Sequence, residues 1–198
     1  YLGWCSWEEY KKNITSDLLT EQIKGLAASP APIRYFLVDD GHFNNQTLQP
    51  KTDTFPQGYK PLTDLRSDDG IRWIGMWHAL MGECNAVRAP GQLGDISKHM
   101  MTTHNKKRVA KPNAKDVEAF LDYLFSFSKR DNIDFLKVDF YGGLIAYYAG
   151  ADKGSITANF PENNTNAIDN PAEATVNYAR VYQSVVEEQF NGLINCNW

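Results

Sequence analysis

Tyr35-Phe36-Leu37-Val38 is an unbroken apolar run stopped by Asp39-Asp40-Gly41. A strand with one wet face alternates apolar and polar residues. A short continuous run bounded by a turn signal fits a strand covered on both faces, as in a parallel sheet. The pattern recurs along the chain. Tyr1 to Trp7 is aromatic and apolar, Arg72 to Trp77 ends at His78, Phe135-Leu136-Lys137-Val138 closes on Asp139, and Leu193-Ile194-Asn195-Cys196 reads as a fifth strand. Helical patterns separate these runs. Thr15 or Ser16 can cap a helix carrying Leu18, Leu19, Ile23 and Leu26 on one stripe, and Asn113 one carrying Val117, Phe120, Leu121, Leu124 and Phe125. Asn170-Pro171 opens a third with Val176, Ala179, Val186 and Phe190. A weaker helix is expected near Pro61 to Ser67, and the stretches leading to Pro112 and Asn170 read as long polar connections.

Alternating strands and helices predict a parallel α/β sheet. The architectures that compete are an open doubly wound sheet and a (β/α)8 barrel. No GxGxxG follows the first strand and no P-loop lysine motif is present. Each strand instead ends in a polar or aromatic cluster: Ser6-Trp7, Asp39-Asp40, Trp77-His78, Asp139 and Asn195 with Asn197. Barrels build their active sites at that C-terminal face from one or two residues per strand, so the (β/α)8 TIM barrel is the expected fold. A barrel of this kind needs about 250 residues. With 198 residues and a start at Tyr1, residues 1–198 are expected to form a partial barrel, strands one to five, with strands six to eight absent.

Composition narrows the partners. A net charge of -4 and a pI near 5.6 give no basic footprint, so nucleic acid is not an expected partner. No apolar run reaches the ~20 residues of a membrane span. Three cysteines at wide spacing, Cys5, Cys84 and Cys196, fit buried thiols rather than a disulfide framework or a zinc site. Sequons at Asn13, Asn45 and Asn163 leave the compartment open to cytoplasmic, periplasmic and secreted locations alike.

The strand ends carry the candidate chemistry. Side chains alternate along a strand, so Lys137 and Asp139 share one face and enter a barrel mouth together. An ammonium nearby keeps a carboxylate ionised, as a nucleophile requires. The same spacing also fits a structural ion pair, and a lysine in a barrel can form a Schiff base. Asp39 and Asp40 can bind ligand hydroxyls or cap the Gly41 turn. His42, His78 and Asp39 have no recognised metal-ligand spacing, so neither a metal nor a cofactor is expected. Trp4, Trp7, Trp77, Tyr141 and Trp198 at strand ends fit the apolar face of a sugar ring, while His99 and His104 read as surface residues of a polar loop.

Taken in order, LGWCSW, FLVDDG, WHALMG, FLKVD and a strand ending in Asn-Cys resemble the catalytic barrel of glycoside hydrolase family 36, on its raffinose-synthase, seed-imbibition and alkaline α-galactosidase branch. The resemblance implies a retaining glycosidase acting on α-galactosides of the raffinose type through a covalent glycosyl-aspartate. It makes Asp139 the nucleophile and has Lys137, Asp39 and Asp40 contact sugar hydroxyls. It also places Trp77 and His78 along the sugar pocket, Trp4 and Trp7 in support of it, and Cys196 on the substrate side. Transfer of galactose to a sugar acceptor at the same site is the alternative, and a non-catalytic sugar-binding barrel is a further one. The family's acid/base aspartate follows the sixth strand, and no residue here matches it, so residues 1–198 alone are expected to be inactive. The family usually has Trp where this sequence has His42.

Overall fold

A computed structural model describes residues 1–84, 86–88, 92–104, 106–152, 154, 159–160 and 167–195. Among them, the parallel strands are β1 (Leu2–Cys5), β2 (Ile33–Val38), β3 (Trp73–Ala79), β7 (Phe135–Asp139) and β8 (Gly192–Asn195), paired in the order β1-β2-β3-β7-β8. Sequential strands separated by helices can pair in parallel only through crossovers, and every neighbour in this sheet is the next such strand in the chain. No helix among the described residues is long and apolar enough to cross a membrane.

The continuous apolar runs divide by parity. Phe36, Val38, Ile74, Met76, Leu136 and Val138 are fully buried and share one face. That face is covered by α2 (Ser16–Ala27), α4 (Ala114–Leu124) and α7 (Pro171–Gln189). The expected caps form: Thr15 Oγ1 accepts from Leu18 N–H at 3.1 Å, Asn113 Oδ1 from Asp116 N–H at 3.0 Å, and Asn170 Oδ1 from Glu173 N–H at 3.2 Å. On α4 the stripe of Val117, Phe120, Leu121 and Leu124 is buried as its spacing predicts, each side chain contributing roughly 1.5–3 kcal/mol. On α7 the expectation is corrected. Val176 is 49% exposed, and the inward stripe is Ala174, Tyr178, Tyr182, Val185 and Val186.

The polar connections also hold more structure than their composition suggests. After β3, the strands β4 (Val87–Arg88), β5 (Met100–Thr102) and β6 (Lys107–Ala110) make a small antiparallel sheet, and α6 (Tyr141–Tyr148) follows β7 directly. Tyr178 Oη donates to Leu80 O at 2.5 Å and Tyr148 Oη to Ala110 O at 2.9 Å, tying α7 and α6 to these segments.

The opposite face of the main sheet carries Gly3, Cys5, Tyr35, Gly75, Phe135 and Ile194. The rings of Tyr35 and Phe135 lie over Gly3 and Gly75, where any side chain would overlap them. A hollow of about 400 Å³, lined by Tyr35, Trp73, Phe135 and Ile194, opens at the N-terminal end of the strands.

Candidate active site

At the C-terminal ends of β1, β2, β3 and β7, Cys5, Asp39 and Lys137 form one polar group, and Trp77 and Asp139 a second. β2 stops at Val38, and Asp39 and Asp40 follow with 3% and 7% exposure. Asp39 N–H donates to Ser6 Oγ at 2.8 Å, which fixes the main chain as it leaves the sheet. Asp39 Oδ1 accepts from Asp40 N–H at 2.9 Å. Its Oδ2 accepts from Lys137 Nζ at 2.6 Å and from Cys5 Sγ–H at 3.3 Å. Burial pushes the Cys5 thiol up to about 11, so it remains protonated and acts as a donor. A carboxylate offers about four lone-pair sites. Among the described residues, donors fill three of these on Asp39.

Asp40 has a different partner from Asp39, both residues lying beyond the end of β2. Its Oδ2 lies 2.7 Å from Lys12 Nζ. The hydrogen bond to Asp40 raises the Lys12 pKa, so that ammonium stays charged. A polar cleft of about 350 Å³ opens beside them, bounded by Lys12, Asp40, Phe43, Asn44 and Lys51.

Asp139 ends β7 with 6% exposure. Its Oδ2 accepts from Trp77 Nε1–H at 3.3 Å and its Oδ1 from Phe140 N–H at 2.7 Å. Phe140 adopts a left-handed conformation (φ 62, ψ 38) that a non-glycine residue takes at a cost of about 1–2 kcal/mol. The strained turn points that N–H at the carboxylate and starts α6 one residue later. Lys137 pairs with Asp39, where spacing alone associates it with Asp139.

The remaining expected site residues separate. Trp77 is on the face of Lys137 and Asp139, 2% exposed, stacked on Phe43 at 6.1 Å with 10° between the rings. His78 points to the opposite, helix-covered face, with its ring 5.2 Å from Phe125 and 5.5 Å from His42. This corrects the expectation that it lines the same pocket as Trp77, because neighbours on a strand cannot share a face. Neither His78 nitrogen has a partner among the described residues, and burial lowers its pKa well below the usual histidine range. Trp4 stacks on Phe36 at 4.7 Å on the helix side, whereas Trp7, in α1 (Ser6–Tyr10), is half-buried with Lys11 Nζ 5.1 Å over its ring. Cys196 lies outside the described residues, as do Asn197 and Trp198.

Ser6, named among the strand-end residues, braces Asp39, and three participants were not assigned to the site from sequence: Cys5 at Asp39, Lys12 pairing with Asp40, and the Phe140 N–H. Cys5 had a usable signal, since it ends the strand that lies beside β2. Lys12 had none, because a short helix and a turn carry it back over the strand ends. No group of three or more His, Cys, Asp or Glu among the described residues is arranged to hold a metal ion.

Comparison with known proteins agrees with this architecture. No family model matches the chain. The protein named "probable galactinol–sucrose galactosyltransferase 6" of Arabidopsis thaliana is 22% identical over 220 residues, covering 82% of this chain and 29% of the relative. Among solved structures, the α-galactosidase of Thermus thermophilus in complex with p-nitrophenyl α-D-galactopyranoside superposes with a TM-score of 0.63 at 23% identity, over 98% of this chain and 37% of that one. A GH36 α-galactosidase of Geobacillus stearothermophilus in complex with stachyose gives 0.65 at 10% identity, over 98% of this chain and 27% of that one. The chain is similar to the raffinose-synthase branch of glycoside hydrolase family 36. It spans less than a third of the length of those curated relatives, and what it shares with the family 36 structures is part of their catalytic barrel.

Proposed function

We propose that the whole protein hydrolyses α-galactosides by a retaining route in which Asp139 is the nucleophile. The observation that carries this reading is the Asp139 carboxylate. It is almost wholly buried at a strand end, with one N–H donor on each oxygen, on the same face as the Lys137–Asp39 pair. Donors on both oxygens hold the direction of the carboxylate, as attack on an anomeric carbon requires.

In the first step an Asp139 oxygen bonds to the anomeric carbon while the bond to the aglycone oxygen breaks. In the second a hydroxyl attacks the same carbon, the ester to Asp139 breaks, and the α configuration is restored. Lys137, Asp39 and Asp40 take sugar hydroxyls, Trp77 flanks the ring, and Trp7 supports the pocket. Protonation of the leaving group is assigned to none of the described acids. Asp131 accepts from Tyr59 N–H at 2.6 Å, and Asp134 from Ile74 N–H and Arg66, both before β7 begins.

Incubating the intact protein with 5-fluoro-α-galactosyl fluoride and mapping peptides by mass spectrometry tests the assignment. The adduct is expected on Asp139, and turnover with an adduct on another carboxylate would overturn it. Galactosyl transfer is a second reading, favoured by the galactosyltransferase names of the curated relatives. Formation of a trisaccharide when sucrose is supplied, in place of free galactose, selects it.

A further inference from the structure

β2 ends at Val38, yet β3 continues to Ala79. The register pairs Val38 with Met76, so past Met76 the edge of β3 that faces β2 has lost its ladder partner. A main-chain carbonyl left bare in such a dry place is destabilising. His42 fills the gap. Its Nε2 lies 2.9 Å from Trp77 O and its Nδ1 2.6 Å from Tyr59 Oη.

These partners fix the tautomer. A carbonyl only accepts, so Nε2 carries the hydrogen, and the bare Nδ1 accepts from the Tyr59 hydroxyl. The ring is wholly buried, and burial pushes its pKa down to about 4, so it is neutral at ordinary pH. Trp77 is then held at three places: its carbonyl by His42, its indole face by Phe43, and its edge by Phe140 at 6.4 Å and 85°. The indole N–H reaches Asp139 across 3.3 Å, near the limit of a useful hydrogen bond, so a small shift of the Trp77 main chain loses it.

We propose that His42 is a positioning residue for the Asp139 carboxylate: as the neutral Nε2–H tautomer it anchors the Trp77 main chain and thereby aims the indole N–H at Oδ2. Its catalytic consequence rests on Asp139 being the nucleophile; the tautomer and the indole contact do not.

The test uses the intact protein labelled with 15N in Trp and His, with the Trp77 indole resonance assigned by its loss in Trp77→Phe. In the wild type His42 should show the Nε2–H pattern, and an Nδ1–H pattern overturns the proposal without any variant. In His42→Phe the Trp77 indole proton should move upfield and kcat should fall about tenfold or more with KM little changed. His42→Gln keeps an N–H where Nε2 stood, and should restore both. A folded His42→Phe with an unmoved indole resonance overturns the proposal, as does unchanged kcat there beside an inactive Asp139→Ala. Should His42→Phe not fold, the wild-type tautomer and the indole position in His42→Gln decide. A fully active Asp139→Ala sinks the nucleophile reading instead, leaving the tautomer and the indole shift to judge the positioning.

Discussion

Lys137 Nζ lies 2.6 Å from Asp39 Oδ2, joining the ends of β7 and β2 across the strand between them. Continuing the observed register puts Asp39, Trp77 and Lys137 at one level of the sheet, and the long lysine side chain spans the intervening strand. Both side chains are largely buried, at 15% and 4% exposure. Removing one partner of a buried pair strands the other, at a cost of about 3–5 kcal/mol. Lys137→Met should therefore lower the unfolding free energy by that order in urea titrations. Adding Asp39→Asn should recover part of the loss, and additive losses in the double variant would show that the two do not couple.

Asp139→Ala should cut kcat on an activated α-galactoside at least a thousandfold, the scale at which removal of a nucleophile is felt. Azide in the cavity left behind can attack the anomeric carbon once. The expected product is β-galactosyl azide, detectable by NMR, and a folded variant that gives none counts against Asp139.

His42 and His78 are both buried and both held neutral, which makes the fold sensitive to acid. Their folded pKa values lie below the unfolded value of about 6.5, so below that pH the unfolded chain binds protons that the native chain refuses. Stability should fall as pH drops from about 6.5 towards 4, by up to about 1.4 kcal/mol per pH unit for each histidine. His78→Leu removes one of the two and a pair of unpartnered nitrogens. Urea midpoints at pH 7 and pH 5 should lie closer together in that variant, with KM unchanged. A raised KM would return His78 to the sugar pocket.

Gly41 has φ +124, and a Cβ there would sit 2.7 Å from the Lys12 carbonyl oxygen. Gly41→Ala strains the turn and pushes on the segment whose side chain pairs with Asp40. A loss of about 1–3 kcal/mol in thermal or urea unfolding is expected, together with weaker substrate binding. Wild-type stability in this variant would show that the turn has another accessible conformation.

Much of the sheet was legible because each strand is a short apolar run closed by a polar residue, and Asn113 and Asn170 cap helices by local geometry alone. On α7 the expected Val186 and, at its C-cap, Phe190 are buried, but Val176 is exposed and tyrosines complete the inward stripe. Tyr178 is buried with its hydroxyl satisfied by Leu80 O. The β4-β6-β5 sheet was invisible because its strands are two to four residues long, and their pairing is decided by partners distant in sequence.

By itself the sequence determined which residues stand at the strand ends, since parity and turn chemistry are local properties of the chain. It placed Asp39, Asp40, Lys137 and Asp139 at one rim and offered Trp77 and His78 as equals. Only the tertiary structure decided the partners. Strand register sets Lys137 level with Asp39, a short helix returns Lys12 to Asp40, and the helix layer makes one face of β3 the core, so that His78 is buried there and Trp77 lies by the carboxylates. Those contacts depend on which strands pair, where they stop and what covers each face, and none of this is encoded within any one segment.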